Sequence, residues 1–145
     1  MATVSDLLRR KGSTVHTVDP KQTVLEAAIL MNKHAIGGLV VVDAERRVAG
    51  MFTERDILRR VLAEQRDPAR TPVGDVMTTG ALVCRPDTSL EECANVMTSK
   101  RIRHLPVRDD AGLAGIVTIG DLLAFRVDEQ QATIEHLTSF VFDNR

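Results

Sequence analysis

Two stretches, Gly50-Met-Phe-Thr53-Glu-Arg-Asp56 and Gly115-Ile-Val-Thr118-Ile-Gly-Asp121, each set a hydroxyl and a carboxylate three residues apart behind a glycine. An ionised carboxylate only accepts hydrogen bonds and can take both hydroxyls of a ribose, while a threonine hydroxyl can donate to a phosphate or a ring atom. The same pair at the start of a helix also caps it, so the pattern leaves both uses open. A third stretch, Lys100-Arg101-Ile102-Arg103-His104-Leu105-Pro106, gathers cationic groups just before a strand. It suits an anionic ligand such as a phosphate, or forms a solvated charge run. The corresponding stretch earlier in the chain is Lys33-His34-Ala35-Ile36-Gly37-Gly38-Leu39, where two glycines stand in place of Arg103 and His104. They permit close approach to a planar ligand, or simply a tight strand entry. Two sites of this kind are therefore chemically unequal.

No catalytic set accompanies these groups. His16, His34, His104 and His136 lack metal-ligand spacing, and no metal is expected. Cys84 and Cys93 are nine residues apart rather than in a CxxC, which reads as a reduced pair in a cytoplasmic chain. No serine sits in a G-x-S-x-G setting, and neither a P-loop nor GxGxxG occurs. The expectation is a chain without enzymatic activity.

The elements that must position these residues are duplicated. Pro20, Glu26, Ala28, Met31, Ile36, Leu39, Val41 and Asp43 recur 66 residues later as Pro86, Glu92, Ala94, Met97, Ile102, Leu105, Val107 and Asp109. After a one-residue deletion in a turn the offset becomes 65, matching Gly50, Thr53, Asp56 and Leu58 to Gly115, Thr118, Asp121 and Leu123. Thr23-x-x-Glu26 and Ser89-x-x-Glu92 read as capping boxes ahead of helical periodicity. Leu39–Val42 and Leu105–Val107 read as first strands, and 48–53 and 113–118 as second strands, with helices starting at Thr53 and Thr118. Ile57, Leu58, Val61 and Leu62 are expected to form the apolar face of one of these helices, and Leu122, Leu123 and Val127 that of the other. Val4-Ser-Asp6-Leu-Leu and Val73-Gly-Asp75-Val-Met open the copies as short helices. Ile134, Leu137 and Val141 predict a terminal helix that packs on the domain or on a partner.

This predicts an α/β fold: duplicated βαββα units packed about a pseudo-twofold axis, since neither half alone buries its sheet well. Residues 1–66 would form the first unit with its entry helix, and 67–145 the second with a helical tail. With 43% hydrophobic but 3% aromatic residues, the core must be aliphatic. A formal charge of −1 argues against a nucleic-acid footprint, and no apolar run reaches membrane length.

Here the chain resembles a tandem pair of CBS domains, a Bateman module. The resemblance rests on Val76-Met77-Thr78, on Ile36-Gly-Gly-Leu-Val and Ile102-Arg-His-Leu-Pro106-Val, and on both Gly-x-x-Thr-x-x-Asp segments. It covers about residues 5 to 126. It implies a regulatory module that binds an adenosyl ligand (AMP, ADP, ATP, an NAD-type dinucleotide or S-adenosylmethionine) and signals by conformational change. By the same resemblance Asp56 and Asp121 would hold ribose, and Thr53 and Thr118 would touch ribose or phosphate. The base would slot beside Thr17, Val18, Ile36 and Gly37 in one cleft, and beside Val83, Cys84 and Ile102 in the other. Arg103 and His104 would meet phosphates, helped by Arg55 or Lys33. A homodimer is implied, with Ile29, Leu30 and Val96 among its contacts, and an effector protein in trans. The first copy departs from the pattern: Leu7-Leu8 replaces Met-Thr, and the Arg-His pair is missing. The alternative is a dimeric structural or protein-interaction module that binds no ligand.

Overall fold

The computed structural model describes residues 1–80 and 82–143. The chain opens with α1 (Val4–Lys11), capped by Thr3 and Asp6 in a reciprocal box. The first unit then runs β1 (Thr17–Val18), α2 (Val24–His34), β2 (Gly38–Val42), β3 (Val48–Thr53) and α3 (Glu54–Asp56), which continues as a π-helical turn over Ile57–Leu62. The second unit runs α4 (Val73–Val76), α5 (Leu90–Lys100), β4 (His104–Asp109), β5 (Gly112–Thr118) and a long α6 (Ile119–Asp143).

Local chemistry sets the ends of the two matched helices. Thr23 Oγ1 accepts from Glu26 N at 3.1 Å, and Ser89 Oγ accepts from Glu92 N at 3.0 Å. Both helices stop at a left-handed residue, Ala35 (φ 53) and Arg101 (φ 55), which turns the chain into the following strand. Ala27 and Met31 on α2, and Cys93 and Met97 on α5, face inward from equivalent positions four residues apart. Met31 and Met97 fill equivalent places in the two cores, where flexible thioethers suit a packing short of aromatics.

In the first unit β1 lies parallel to β2 (Thr17 beside Val40), and β2 lies antiparallel to β3 (Gly38 beside Thr53). In the second, β4 is antiparallel to β5 (His104 beside Thr118), and the counterpart of β1 shrinks to one parallel bridge between Cys84 and Val107. Irregularities at Val41/Val42 and Val107/Arg108 repeat at the same place in each hairpin. The fold is thus the duplicated βαββα arrangement that the repeat predicts.

The entry segments are exchanged. Val4 N, Ser5 N and Leu90 N bond to the carbonyls of Thr88, Pro86 and Ala2 at 2.8–3.0 Å, and Val73 N, Gly74 N and Val24 N bond to those of Gln22, Pro20 and Thr71 at 2.8–2.9 Å. Each set is the image of the other, which is the reciprocity of a twofold axis. Val4 and Leu7 consequently sit in the second core with Cys84, Cys93, Met97, Leu105, Val107, Val117 and Phe125. Val73 and Val76 sit in the first core with Val18, Val24, Met31, Leu39, Val41, Phe52 and Val61. Burying each of these entry side chains contributes roughly 1.5–3 kcal/mol, so each unit is stabilised by a helix that precedes the other in sequence.

The exchange explains the glycine of each Gly-x-x-Thr-x-x-Asp. A Cβ at Gly50 would lie 2.5 Å from the carbonyl oxygen of Thr78, and one at Gly115 would lie 3.0 Å from Leu8 Cδ2. Thr78 pairs with Met51 at 2.9 and 3.0 Å, so the segment after α4 is stitched onto β3 where a side chain would block it.

The second helix of each unit departs from expectation. Val61 is buried and Ile57 half-buried, but Leu58 and Leu62 are exposed. Likewise Leu122 is half-buried, while Leu123 and Val127 are exposed and Phe125 takes the inward place. The adjoining sheet admits only a narrow stripe, so the neighbours on either side of it face outward. Ile134, Leu137 and Val141 are exposed too, on the part of α6 that continues past the second core.

Candidate functional site

Both Thr-Asp pairs cap their helices. Thr118 N donates to Asp121 Oδ2 at 2.9 Å, and Asp121 N donates to Thr118 Oγ1 at 3.1 Å. Thr53 N donates to Asp56 Oδ2 at 3.0 Å. Capping occupies one carboxylate oxygen and leaves the other to distinguish the two sites.

Asp56 is buried, and its second oxygen is also taken: Thr78 Oγ1 donates to Oδ1 at 3.0 Å, with Arg60 Nε 3.8 Å away. Arg60 is itself held by the Met77 carbonyl at 2.9 Å. Asp56 therefore fastens the exchanged segment after α4 to the first unit. Asp121 is half-buried, and Lys11 Nζ, from the end of α1, donates to the same Oδ2 that serves the cap, at 2.5 Å. Lys11 also donates to the Ile116 carbonyl at 2.9 Å. Among the described residues, Asp121 Oδ1 receives no hydrogen bond.

The strand entries meet across the pseudo-twofold axis. His104 lies against the first unit, where a Cβ at Gly38 would be 3.1 Å from its Nε2 and 3.2 Å from Thr53 Cγ2. A Cβ at Gly37 would be 3.2 Å from Glu54 Oε1. The glycine pair thus makes room for groups of the protein itself. Glu54 N bonds the Gly37 carbonyl and Ile119 N bonds the Arg103 carbonyl, both at 3.0 Å, joining strand entry to helix start in each unit. Arg55 spans the units to the Arg101 carbonyl at 3.0 Å.

His104 is surrounded by charge of both signs. Burial holds its imidazole below the ordinary histidine range; Arg103 and Lys11 push the same way, against Glu54 and Asp121. A neutral imidazole here can donate from one nitrogen and accept at the other. Thr118, Asp121 and His104 are therefore brought together, joined by Lys11 and Glu54, which the sequence reading did not include, while the Arg103 side chain is exposed and its carbonyl holds the start of α6. Nothing along the chain pairs Lys11 with a residue 110 positions away. Thr78 was visible only as part of Val76-Met77-Thr78, without its partner Asp56.

The base-slot candidates divide. Val18 and Cys84 are buried core residues, Thr17, Ile36 and Ile102 are half-buried, and Val83 is exposed. Pro106 is buried, and its carbonyl accepts from Cys84 N at 2.9 Å. Cys84 and Cys93 are free, buried thiols. Donation of its proton toward Cys93, together with burial, pushes the Cys84 thiol well up, which suits it to packing rather than to nucleophilic attack. Among the described residues, no group of three histidine, cysteine, aspartate or glutamate side chains is placed to hold a metal ion.

Comparison with known proteins matches this arrangement. A family model described as "CBS domain" fits residues 4–63 and again 73–128. The CBS domain-containing protein YhcV of Bacillus subtilis is 39% identical over 132 residues, covering 91% of each chain. The structure of a putative signal-transduction protein with CBS domains from Burkholderia ambifaria superimposes with a TM-score of 0.84 at 38% identity, over 89% of this chain and 96% of that one. CBSX2, solved in complex with AMP, superimposes with a TM-score of 0.75 at 30% identity, over 90% and 99% of the two chains.

Proposed function

The chain belongs to the CBS-domain family as two tandem domains, and on that premise we propose that it is a regulatory module whose second cleft binds the adenosine part of AMP, ADP, ATP or an NAD-type ligand, without catalysis. The observation that carries this reading is the difference between the two aspartates. Asp56 has both oxygens engaged by protein, whereas among the described residues Asp121 keeps Oδ1 free of hydrogen bonds, with Lys11 on its other oxygen and the charges of Asp121 and Lys11 both felt at His104. A carboxylate with one oxygen free accepts a ribose hydroxyl, and the neighbouring cations suit phosphates. The AMP complex of CBSX2 supports the choice of ligand. Because Lys11 ends α1 while Asp121 starts α6, a ligand that separates them acts on the exchanged helix, and that differential contact is what a conformational signal to an effector protein requires.

Titration calorimetry with AMP, ATP, NAD and S-adenosylmethionine tests the reading. Asp121→Ala should weaken binding by about 10- to 150-fold, the loss of a hydrogen bond to a charged group. Lys11→Met should raise the affinity for adenosine, which carries no phosphate, by about two- to fivefold, the equivalent of one exposed ion pair. Absence of heat and of any thermal stabilisation with all four ligands would sink it.

A second reading, a dimeric interaction module without ligand, is favoured by the full satisfaction of Asp56 and by the exposed apolar face of Leu58, Leu62, Leu123 and Val127. Leu58 and Leu62 are the repeat equivalents of Leu123 and Val127, so the face is itself twofold. A homodimer through this face is compatible with either reading. Light scattering on Leu58→Asp tests it: a wild-type mass at the same concentration would remove the face from the interface.

A further inference from the structure

From Leu123 to Val141, α6 carries a heptad. Val127, Ile134 and Val141 fall seven apart, and Leu123, Gln130 and Leu137 form the second series, four residues before each of them. The five apolar members are all more than half exposed. Every described side chain from Arg126 to Ser139 is exposed, so this part of the helix has no cover in the monomer. A helix projecting by about a dozen residues is marginal in water on its own and gains its stability from packing an apolar stripe.

The geometry points to a second copy of this chain as the cover: two α6 helices form a parallel, in-register coiled coil. β-branched residues at one core position with leucine at the other favour two parallel strands, and in-register pairing sets each Gln130 amide against its own copy, where the two can hydrogen-bond instead of lying against leucine. Charge agrees. Asp128, Glu129, Glu135 and His136 all fall on the outer face, while the flanking positions of the seam carry Arg126, Gln131, Thr133 and Thr138, with Arg126 opposite the neutral Gln131 of the other strand. Identical strands thus meet there without like charges opposed. The hydroxyls of Thr133 and Thr138 bond back to the carbonyls of Glu129 and Ile134 at 3.0 and 2.8 Å, so they need no water at the seam.

Area decides how the seam is used. About 27 Å of helix roughly 10 Å wide offers about 270 Å² per copy, well short of the roughly 800 Å² per partner of a stable interface. The seam therefore extends the body interface, with which it shares Leu123 and Val127, and in this respect the inference rests on the homodimer proposed above.

Val127→Cys and Val141→Cys, made separately in the full chain and oxidised mildly, test the arrangement. Parallel, in-register strands give a disulfide-linked dimer at both positions, with the wild type, whose cysteines are buried, as background. Antiparallel strands cross-link at one position at most, and that result, or cross-linking at neither, overturns the inference. A second variant, Ile134→Asp with Leu137→Asp, should weaken dimerisation at least tenfold by light scattering. A dimer of unchanged affinity would reject the seam and leave the Leu58 interface standing, whereas a wild type monomeric at high micromolar concentration would reject both.

Discussion

The imidazole of His104 occupies the space that a side chain at position 38 would need, with Nε2 3.1 Å from where a Gly38 Cβ would lie. The glycine in one repeat and the histidine in the other are thus two halves of one contact across the pseudo-twofold axis. A symmetric pair of histidines, or of glycines, would clash or leave a void there.

Gly38→Val should therefore destabilise the protein by about 1–3 kcal/mol, the range for overpacking. His104→Ala in the same chain should return at least about 0.5 kcal/mol of that loss, as expected for residues in contact. Urea denaturation of the four members of the cycle measures the coupling. Strict additivity would show that Thr53, 3.2 Å from the same point, is the group that resists.

The two aspartates should differ in what they do for stability. Asp56→Ala strips a buried acceptor from Thr53 N and Thr78 Oγ1 at once and should cost about 2–4 kcal/mol. Asp121→Ala removes a half-exposed cap and should cost about 0.5–2 kcal/mol. The opposite order in chemical denaturation would contradict the assignment of Asp56 to fastening the units.

The paired glycines make a matched comparison. At Gly50 a new methyl meets the backbone of Thr78 at 2.5 Å, but at Gly115 it meets the flexible end of Leu8 at 3.0 Å. Gly50→Ala should lower the thermal midpoint markedly and expose the Met51–Thr78 bridge amides to hydrogen exchange. Gly115→Ala should do so by less than half as much.

Stability should fall in mild acid. The folded state holds His104 below the ordinary histidine range, mainly through burial. Partial desolvation, then His16 and Lys33, depress His34, whose ring stacks on His16 at 3.8 Å. In the unfolded chain both imidazoles take up protons near pH 6.5. Below that the unfolded state binds more protons, so this contribution is complete above about pH 6.5 and is lost as pH falls through the lower folded values. The urea midpoint of the wild type should drop more between pH 7 and pH 5 than that of His104→Gln. Parallel curves would assign the loss to other groups.

The sequence alone determined the duplication, the capped helix starts and the strand periods. Each of these follows from contacts within a few residues, written once and then again 66 positions later. It also supplied candidates for a nucleotide site, Thr118, Asp121, Arg103 and His104, through their resemblance to a known family pattern. The tertiary structure alone decided that each entry helix packs on the other unit, that Thr78 consumes Asp56 while Lys11 takes only one oxygen of Asp121, and that Gly38 exists for His104. It also decided that Leu58 and Leu62 face outward rather than into the core. Those contacts join segments tens to more than a hundred residues apart. No local period encodes such pairings; they arise only when two copies of one unit close around a common axis.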